Sequence, residues 1–405
     1  FDSTRRYIRN GRDLAEFVHV DFPLQATLNA ALILARQGDT DDDPKASPLA
    51  HDENNPYRSY LKQEAFITFG NSDGQDLIGR IVNEALRGQW FQKWRVHRRL
   101  RPEEFGGRIH NQKSGVYYPL PTELLLSPVF TRVNQRNRAL NGGSGGSFLL
   151  SQAYPEGSPL HPAYGSGHST YIGAGVTMLK AFYKVDQPVQ NPVQPSANGL
   201  SLEPYTGPAL TVGDELDKLA ANIGIGRLLA GVHYRSDHEQ AVLLGELIAL
   251  RALQDLTRRY NEGFQGFQVR TFGGNTLTIT PTGPTLPNHV SAVVGFTLID
   301  ADTDQPVSEQ DPLYNNAVIN GNGRRLSIRA NTFPETVGSV RFGFNGNSSF
   351  RTENSAPYAL FSESGGNYTG QVLAPGTYEV TATPYSGTNA GGLGGAPMTI
   401  RFTIQ

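Results

Sequence analysis

The sequence predicts a mainly α-helical bundle over residues 1–281 followed by an all-β, immunoglobulin-like sandwich over residues 290–405. Two patterns carry that division. Up to about residue 265, apolar positions recur at helical spacing, as in DLIGRIVNEALRGQWFQKWRVHR and DELDKLAANIGIGRLLAG, with polar loops such as DTDDDPKASP and LNGGSGGSF between them. Beyond it come short alternating runs, among them AVVGFTLID, RLSIRAN, VRFGFN, TYEVTATPYS and MTIRFTIQ, separated by Gly, Asn, Pro and Asp in the manner of a β-sandwich. QVRTFGGNTLTI reads as a hairpin turning at Gly273 and Gly274, placed at the end of the helical domain, and PTGPTLPN at 281–288 reads as the linker.

Composition narrows the functional classes. With 405 residues, 38% hydrophobic and 10% aromatic, the chain can bury one large core or two smaller ones. A formal net charge of −2 argues against nucleic acid as the main partner. Zero cysteines exclude a disulfide framework, a haem thiolate and a cysteine-ligated iron–sulfur cluster. No apolar run approaches the roughly 20 residues of a membrane-spanning helix. The chain opens at Phe1 inside an amphipathic stretch, STRRYIRNGRDLAEFVHVDFPLQATLNAALILAR, and is expected to be truncated at its N-terminus. Localisation is therefore not legible, although a secreted or extracellular setting is suspected.

Three segments carry the chemistry: KWRVHRRLRP at 93–102, HPAYGSGHS at 161–169 and GRLLAGVHYRSD at 226–237. Each has a bland reading when taken alone. The first is a solvated basic helix face, the second a Gly-Ser turn, the third a surface histidine before a helix cap. Together they offer three cations (Lys93, Arg101, Arg227), the Ser166 hydroxyl, the Gly167 amide and two imidazoles (His168, His233), which suits a tetrahedral oxyanion. A zinc site would want thiolates, imidazoles and carboxylates without surrounding guanidinium groups.

Local physics supports the grouping. TYIGAGVTMLKAFY has helical spacing, so Ser166 and Gly167 are placed at a helix N-terminus, where free amides favour an anion and glycine permits close approach. Arg227 and His233 are six residues apart, which a straight helix would set roughly 120° from each other. They converge only if the chain turns between them, and Gly231 permits a turn. Ser236 and Glu239 form a candidate capping box opening the next helix, and Asp237 is the natural acceptor for the second ring N–H of His233.

In residue type and spacing these segments resemble those of the vanadium-dependent haloperoxidases, which share an active-site architecture with type-2 phosphatidic-acid phosphatases and bacterial acid phosphatases. The matching features are lysine, seven residues, then Arg-Pro; Ser-Gly-His; and arginine, five residues, then histidine. The lysine-to-arginine interval is one longer than in the phosphatases and fungal chloroperoxidase and is similar to algal bromoperoxidases. His161, seven residues before His168, stands where bromoperoxidases carry a histidine and chloroperoxidases an aromatic residue. The resemblance covers roughly residues 1–280, and its family carries a further helical portion before the lysine segment.

The resemblance implies vanadate as cofactor, held at its oxygens by Lys93, Arg101, Ser166, Gly167 and Arg227, with His233 as axial ligand to vanadium. It implies His168 as acid–base group, His161 assisting it, Lys93 polarising bound hydrogen peroxide, and Asp237 and Trp90 as supporting residues. The expected reaction is oxidation of bromide or iodide by hydrogen peroxide to hypohalous acid, which halogenates organic substrates. Trp90 is similar in position to a tryptophan of brown-algal bromoperoxidases. A homo-oligomer is expected. The alternative is an acid phosphatase forming a phosphohistidine at His233, and a third reading is a binding protein without turnover. The loop FGNSDGQD at 69–76 could offer Asn71, Asp73 and Asp76 to a structural calcium, although its spacing is not that of an EF-hand and a polar turn is the preferred reading. His19, His51, His97, His110, His238 and His289 are given no role, and neither are Arg95, Arg98 and Arg99.

Overall fold

A computed structural model describes residues 4–37, 54–287 and 290–405. His51, His289 and the loop DTDDDPKASP lie outside these residues. The described chain divides into two compact units, residues 1–265 and 266–405.

The first unit is helical: α1 Gly11–Val20, α2 Gln25–Gln37, α3 Asn71–Phe91, α4 Pro102–Lys113, α5 Thr122–Leu125, α6 Val129–Leu140, α7 Gly167–Phe182, α8 Val212–Leu229 and α9 Arg235–Thr257. Asn10 caps α1 by accepting the amides of Arg12 and Asp13. Helix α7 is the axis of the bundle, packed by α3, α8 and α9. Every residue from Ser169 to Phe182 is buried, so α7 has no polar face and behaves as a core helix. Thr170 and Thr177 satisfy their hydroxyls on carbonyls four residues back, Ser166 and Gly173. Its crossing with α9 depends on small residues: a Cβ at Gly173 would stand 2.4 Å from the Val242 carbonyl oxygen, and one at Gly245 2.1 Å from that of Thr170. Truncating Ile172, which is fully buried, would cost about 2–5 kcal/mol in lost transfer energy and cavity formation. Among the described residues no single helix is long and apolar enough to cross a membrane.

The second unit is β-rich. Its five-stranded sheet runs Asn347–Glu353, Ser339–Phe344, Gly376–Tyr385, Met398–Ile404, Ala317–Ile319, antiparallel except for the last pair. A four-stranded sheet runs Tyr358–Ala359, Leu326–Phe333, Ala292–Asp300, Gln305–Pro306. Alternating side chains from both sheets meet in one apolar core, with Phe296, Leu298 and Ile328 from one and Phe342, Val380, Ile400 and Phe402 from the other. The hairpin Phe267–Arg270 with Thr276–Ile279 falls in this unit, whereas the sequence assigned it to the helical domain ending at residue 281. The reason is polar: Asn275 Nδ2 donates to the carbonyls of Ala390 (3.0 Å) and Gly392 (2.7 Å), contacts that periodicity does not register.

Candidate active site

The lysine segment follows directly from α3. The helix widens by one residue per turn over Gln92–His97, with the Arg98 amide bonded to the Lys93 carbonyl, and Arg98 adopts a left-handed conformation that ends it. Lys93 is thereby fully buried, its Nζ donating to the carbonyls of Pro162 (2.6 Å) and Ala163 (3.2 Å). Burial, then the charge of Arg101, brings its pKa down to about 7.

Arg101 precedes the first turn of α4 and is buried. Its Nε donates to the His161 carbonyl (2.8 Å), one terminal nitrogen to the Val232 carbonyl (2.7 Å) and to His233 Nε2 (2.9 Å), and the other to His161 Nδ1 (3.0 Å). Guanidinium has only donors, so both of those imidazole nitrogens accept. It follows that His233 carries its proton on Nδ1, which donates to Asp237 Oδ2 at 3.0 Å, and that Nε2 presents a lone pair. Burial, then Arg101 and Lys93, holds the His233 pKa well below the usual histidine range. The same causes, with Lys93 ahead of Arg101, bring His161 to about 4, so both rings are neutral at pH 7.

The turn between Arg227 and His233 is a helix C-terminus. After α8 the Gly231 amide bonds to the Leu228 carbonyl and the Val232 amide to that of Arg227, with Gly231 at φ +80°. A Cβ at Gly231 would also lie 2.6 Å from the Ser151 carbonyl oxygen. The capping box expected from Ser236 and Glu239 is not the one formed. The helix starts two residues earlier, capped at Tyr234, so Asp237 occupies the third helical position and accepts the Tyr234 amide at 3.0 Å; Ser236 takes Arg99 and Glu239 takes Arg235.

Ser166 caps α7, accepting the Ser169 amide, while its own amide donates to the Asp237 carbonyl at 2.9 Å. Gly167 opens that helix beside the pocket, and a Cβ there would meet only Leu86, at 3.6 Å. The protein itself thus leaves room for a side chain at 167, and the room is pocket. His168 Nε2 pairs with Asp21 Oδ1 at 2.8 Å, and the Tyr171 hydroxyl donates to Asp21 Oδ2 at 2.5 Å. Burial lowers the His168 pKa against the opposing pull of Asp21.

These residues surround a pocket of about 380 Å³ lined by Lys93, His161, Gly167, His168, Arg227 and His233, with Trp90, Leu86 and Pro23 as apolar wall. Trp90 is half-exposed, its ring 6.0 Å from His161. Arg227 donates to the Val18 carbonyl (2.9 Å) and the Tyr154 hydroxyl (3.0 Å), while its buried Nε has no hydrogen-bond partner among the described residues. An orphaned guanidinium donor, two further buried cations, a helix N-terminus and an imidazole lone pair form a donor set that fits an oxyanion able to accept a nitrogen ligand.

The family described as the VCPO second helical-bundle domain matches residues 147–262. The chain is 38% identical over 299 residues to the vanadium-dependent bromoperoxidases of Corallina officinalis and Corallina pilulifera, a match covering 69% of this chain and 48% of each relative. It is 37% identical over 287 residues to that of Ascophyllum nodosum, covering 70% of this chain and 50% of the relative. The chain is a homologue of the vanadium-dependent haloperoxidases. In structure it is similar to the homohexameric second vanadate-dependent bromoperoxidase from Ascophyllum nodosum, with a TM-score of 0.61, 30% identity and coverage of 70% of this chain and 50% of that one. The chain spans about half the length of the curated haloperoxidases it matches.

Against the haloperoxidase expectation, the structure brings Lys93, Arg101, Ser166, Gly167, His168, His161, Arg227, His233, Asp237 and Trp90 into one region of the helical unit. It adds three residues that sequence reasoning left aside. Asp21 lies 147 positions from His168, and nothing in VHVDFP marks it. Arg99 bonds Asp237, although it sits in a run read as a solvated basic face. His19 stacks on Tyr154 at 3.9 Å and pairs with Glu156, all three lining the pocket. The calcium expectation is not supported. Asn71 accepts the Tyr183 hydroxyl, Asp73 the Phe69 amide and the Tyr260 hydroxyl, and Asp76 pairs with Arg80, so these oxygens serve the helical packing. Among the described residues no three His, Asp or Glu side chains group to hold a metal ion.

Proposed function

We propose that this chain carries the catalytic site of a vanadate-dependent bromoperoxidase, oxidising bromide and iodide with hydrogen peroxide to hypohalous acid. The observation that carries the reading is the His233–Asp237 pair. Its direction leaves Nε2 without a proton, as an acceptor that Arg101 engages here and that a bound anion would take over. Lys93, Arg101, Arg227, Ser166 and the Gly167 amide would hold the oxygens of vanadate, and His233 Nε2 would be its nitrogen ligand. Bound vanadate supplies Lewis acidity toward peroxide without a change of oxidation state.

The remaining work falls to the chain. Lys93, buried and donor-rich, neutralises charge on the bound oxidant. His168 moves protons, oriented by Asp21. His161, held neutral by burial and by the charges of Lys93 and Arg101, tunes that transfer from the side of Trp90. Trp90 and Leu86 give the halide an apolar wall, and bromide and iodide are easier to oxidise than chloride. We further infer an immunoglobulin-like topology for the β-rich unit. Support comes from its parallel pairing of Met398–Ile404 with Ala317–Ile319 and from its two sheets around one core. A homo-oligomer is proposed from the homohexameric relative.

The test is direct. Protein prepared with and without orthovanadate is assayed for peroxide-dependent bromination of an electron-rich phenol and for hydrolysis of a phosphate monoester. Vanadate-dependent bromination is expected. Hydrolysis without bromination would replace this reading by a phosphatase with His233 as nucleophile, and loss of both would leave an oxyanion-binding protein.

A further inference from the structure

The geometry points to Arg99 as a positioning residue for the Nε2 nitrogen of His233, acting through Asp237. This rests on the reading of His233 as the vanadium ligand. Asp237 is fully buried and its two oxygens have separate tasks. Oδ2 accepts His233 Nδ1 and the Tyr234 amide, both at 3.0 Å, whereas Oδ1 accepts one terminal nitrogen of Arg99 at 3.0 Å. That same Arg99 nitrogen donates to Ser236 Oγ at 2.8 Å. The guanidinium plane lies over the Tyr234 ring, 4.1 Å from its centroid, with Tyr164 at 5.9 Å. The Arg99 carbonyl meanwhile accepts the Ala163 amide at 2.9 Å, and Ala163 is one of the carbonyls that hold Lys93.

These contacts make Arg99 a clamp on the outer side of the carboxylate. A carboxylate held at both oxygens cannot rotate away from His233, so the ring keeps one orientation, in the tautomer that Arg101 sets at Nε2. Without Arg99, Oδ1 would be a buried acceptor lacking its charged partner, and the carboxylate would turn to recover one. Lysine cannot reproduce the arrangement, because a single ammonium has no plane to stack on Tyr234 while reaching both Ser236 and Asp237. Arg99 touches neither the pocket nor the anion, so its effect must travel through His233.

That route predicts a split between two anions of the same shape. Phosphate needs only the cationic cage, whereas vanadate also needs the His233 nitrogen. Equilibrium affinities for each would be measured on wild type, Arg99→Met and Arg99→Lys, together with nitrogen-15 spectra of histidine-labelled protein without added anion. In Arg99→Met, vanadate affinity is expected to fall about 10–100-fold, the usual effect of losing a group that orients a metal ligand, with phosphate affinity nearly unchanged. Added guanidinium ion should restore part of the loss, and Arg99→Lys should recover little. The nitrogen-15 signals of His233 should remain those of the Nδ1–H tautomer, which Arg101 also enforces from Nε2, but should shift and broaden as the Nδ1–H bond to Asp237 loosens. Equal losses for both anions would show a merely structural role, and unchanged vanadate affinity or an unchanged His233 spectrum would overturn the clamp. If wild type binds phosphate but not vanadate, the haloperoxidase reading falls, and the His233 spectrum alone then decides the role of Arg99.

Discussion

Asp21 Oδ1 lies 2.8 Å from His168 Nε2, joining the end of α1 to the first turn of α7 across 147 residues of chain. The carboxylate is itself held, since the Tyr171 hydroxyl donates to its other oxygen at 2.5 Å. His168 thus has one ring nitrogen committed to a fixed, buried acceptor, with the Val18 backbone also against the ring. His168→Ala is expected to lower bromination by about 10²–10⁴-fold, the range for a general acid–base group, with vanadate still bound. Asp21→Asn should cost less, because the imidazole remains and only its orientation and proton affinity are disturbed. Steady-state bromination rates beside vanadate dissociation constants check both. An Asp21→Asn loss as deep as that of His168→Ala would give the carboxylate a larger part.

His161 is expected to behave differently. Its Nδ1 accepts from Arg101, and burial beside Lys93 and Arg101 puts its pKa at about 4, so it is uncharged across the working range. His161→Ala should therefore produce a milder loss than His168→Ala and should shift the bromide-to-iodide preference, since the ring shares a wall of the pocket with Trp90. Rates for the two halides from pH 5 to 9 test this. A fall equal to that of His168→Ala would mean that His161 moves the proton itself.

Much of this site was legible because its residues announce themselves by type and spacing. Lys93 to Arg101, Ser166 to His168 and Arg227 to His233 are local intervals, and glycine at 231 signals the turn that brings the last pair together. The bundle was legible for the same reason, since helical periodicity is a local property. What could not be read is what depends on long-range contact. Asp21 and Arg99 owe their roles to side chains about 140 residues away, and an isolated aspartate or one arginine among five basic residues looks like solvated surface. The hairpin at 267–279 was assigned to the wrong unit because its polar tie to Ala390 and Gly392 leaves no periodic trace. The helix cap at Tyr234 was misplaced by two residues because Asp237 serves both that cap and His233, a double use that a capping motif does not encode.

Lys93 supplies a pH dependence whose sign can be worked out. Burial and Arg101 lower its pKa to about 7, so it is charged below that value and loses its charge above it. Oxyanion affinity should then be greatest below pH 7 and decline above it, by up to about tenfold per pH unit where the charged lysine is required. Sulfate is the suitable probe because it stays a dianion throughout, so the slope belongs to the protein. Lys93→Met should bind sulfate weakly with the decline above pH 7 removed. A wild-type affinity that is flat from pH 6 to 9 would show that Lys93 keeps its proton or does not contact the anion.

Gly231 separates strain from function. It carries φ +80°, ends α8 and lies where a Cβ would stand 2.6 Å from the Ser151 carbonyl oxygen, between the two residues that must converge on the pocket. Gly143 is a control in the same helical unit, with φ +87° and nothing within 4 Å of a Cβ. Gly143→Ala should cost about 1–2 kcal/mol, the left-handed penalty alone. Gly231→Ala must also move backbone, since the carbonyl it meets is not a flexible side-chain end. Its cost should exceed that of the control by about 1–3 kcal/mol, as overpacking does. Only this variant should also weaken sulfate and vanadate binding, through displacement of His233 from Arg227. Thermal unfolding and anion titration of both variants provide the comparison. Equal destabilisation with intact binding in Gly231→Ala would show that the turn yields without disturbing the site.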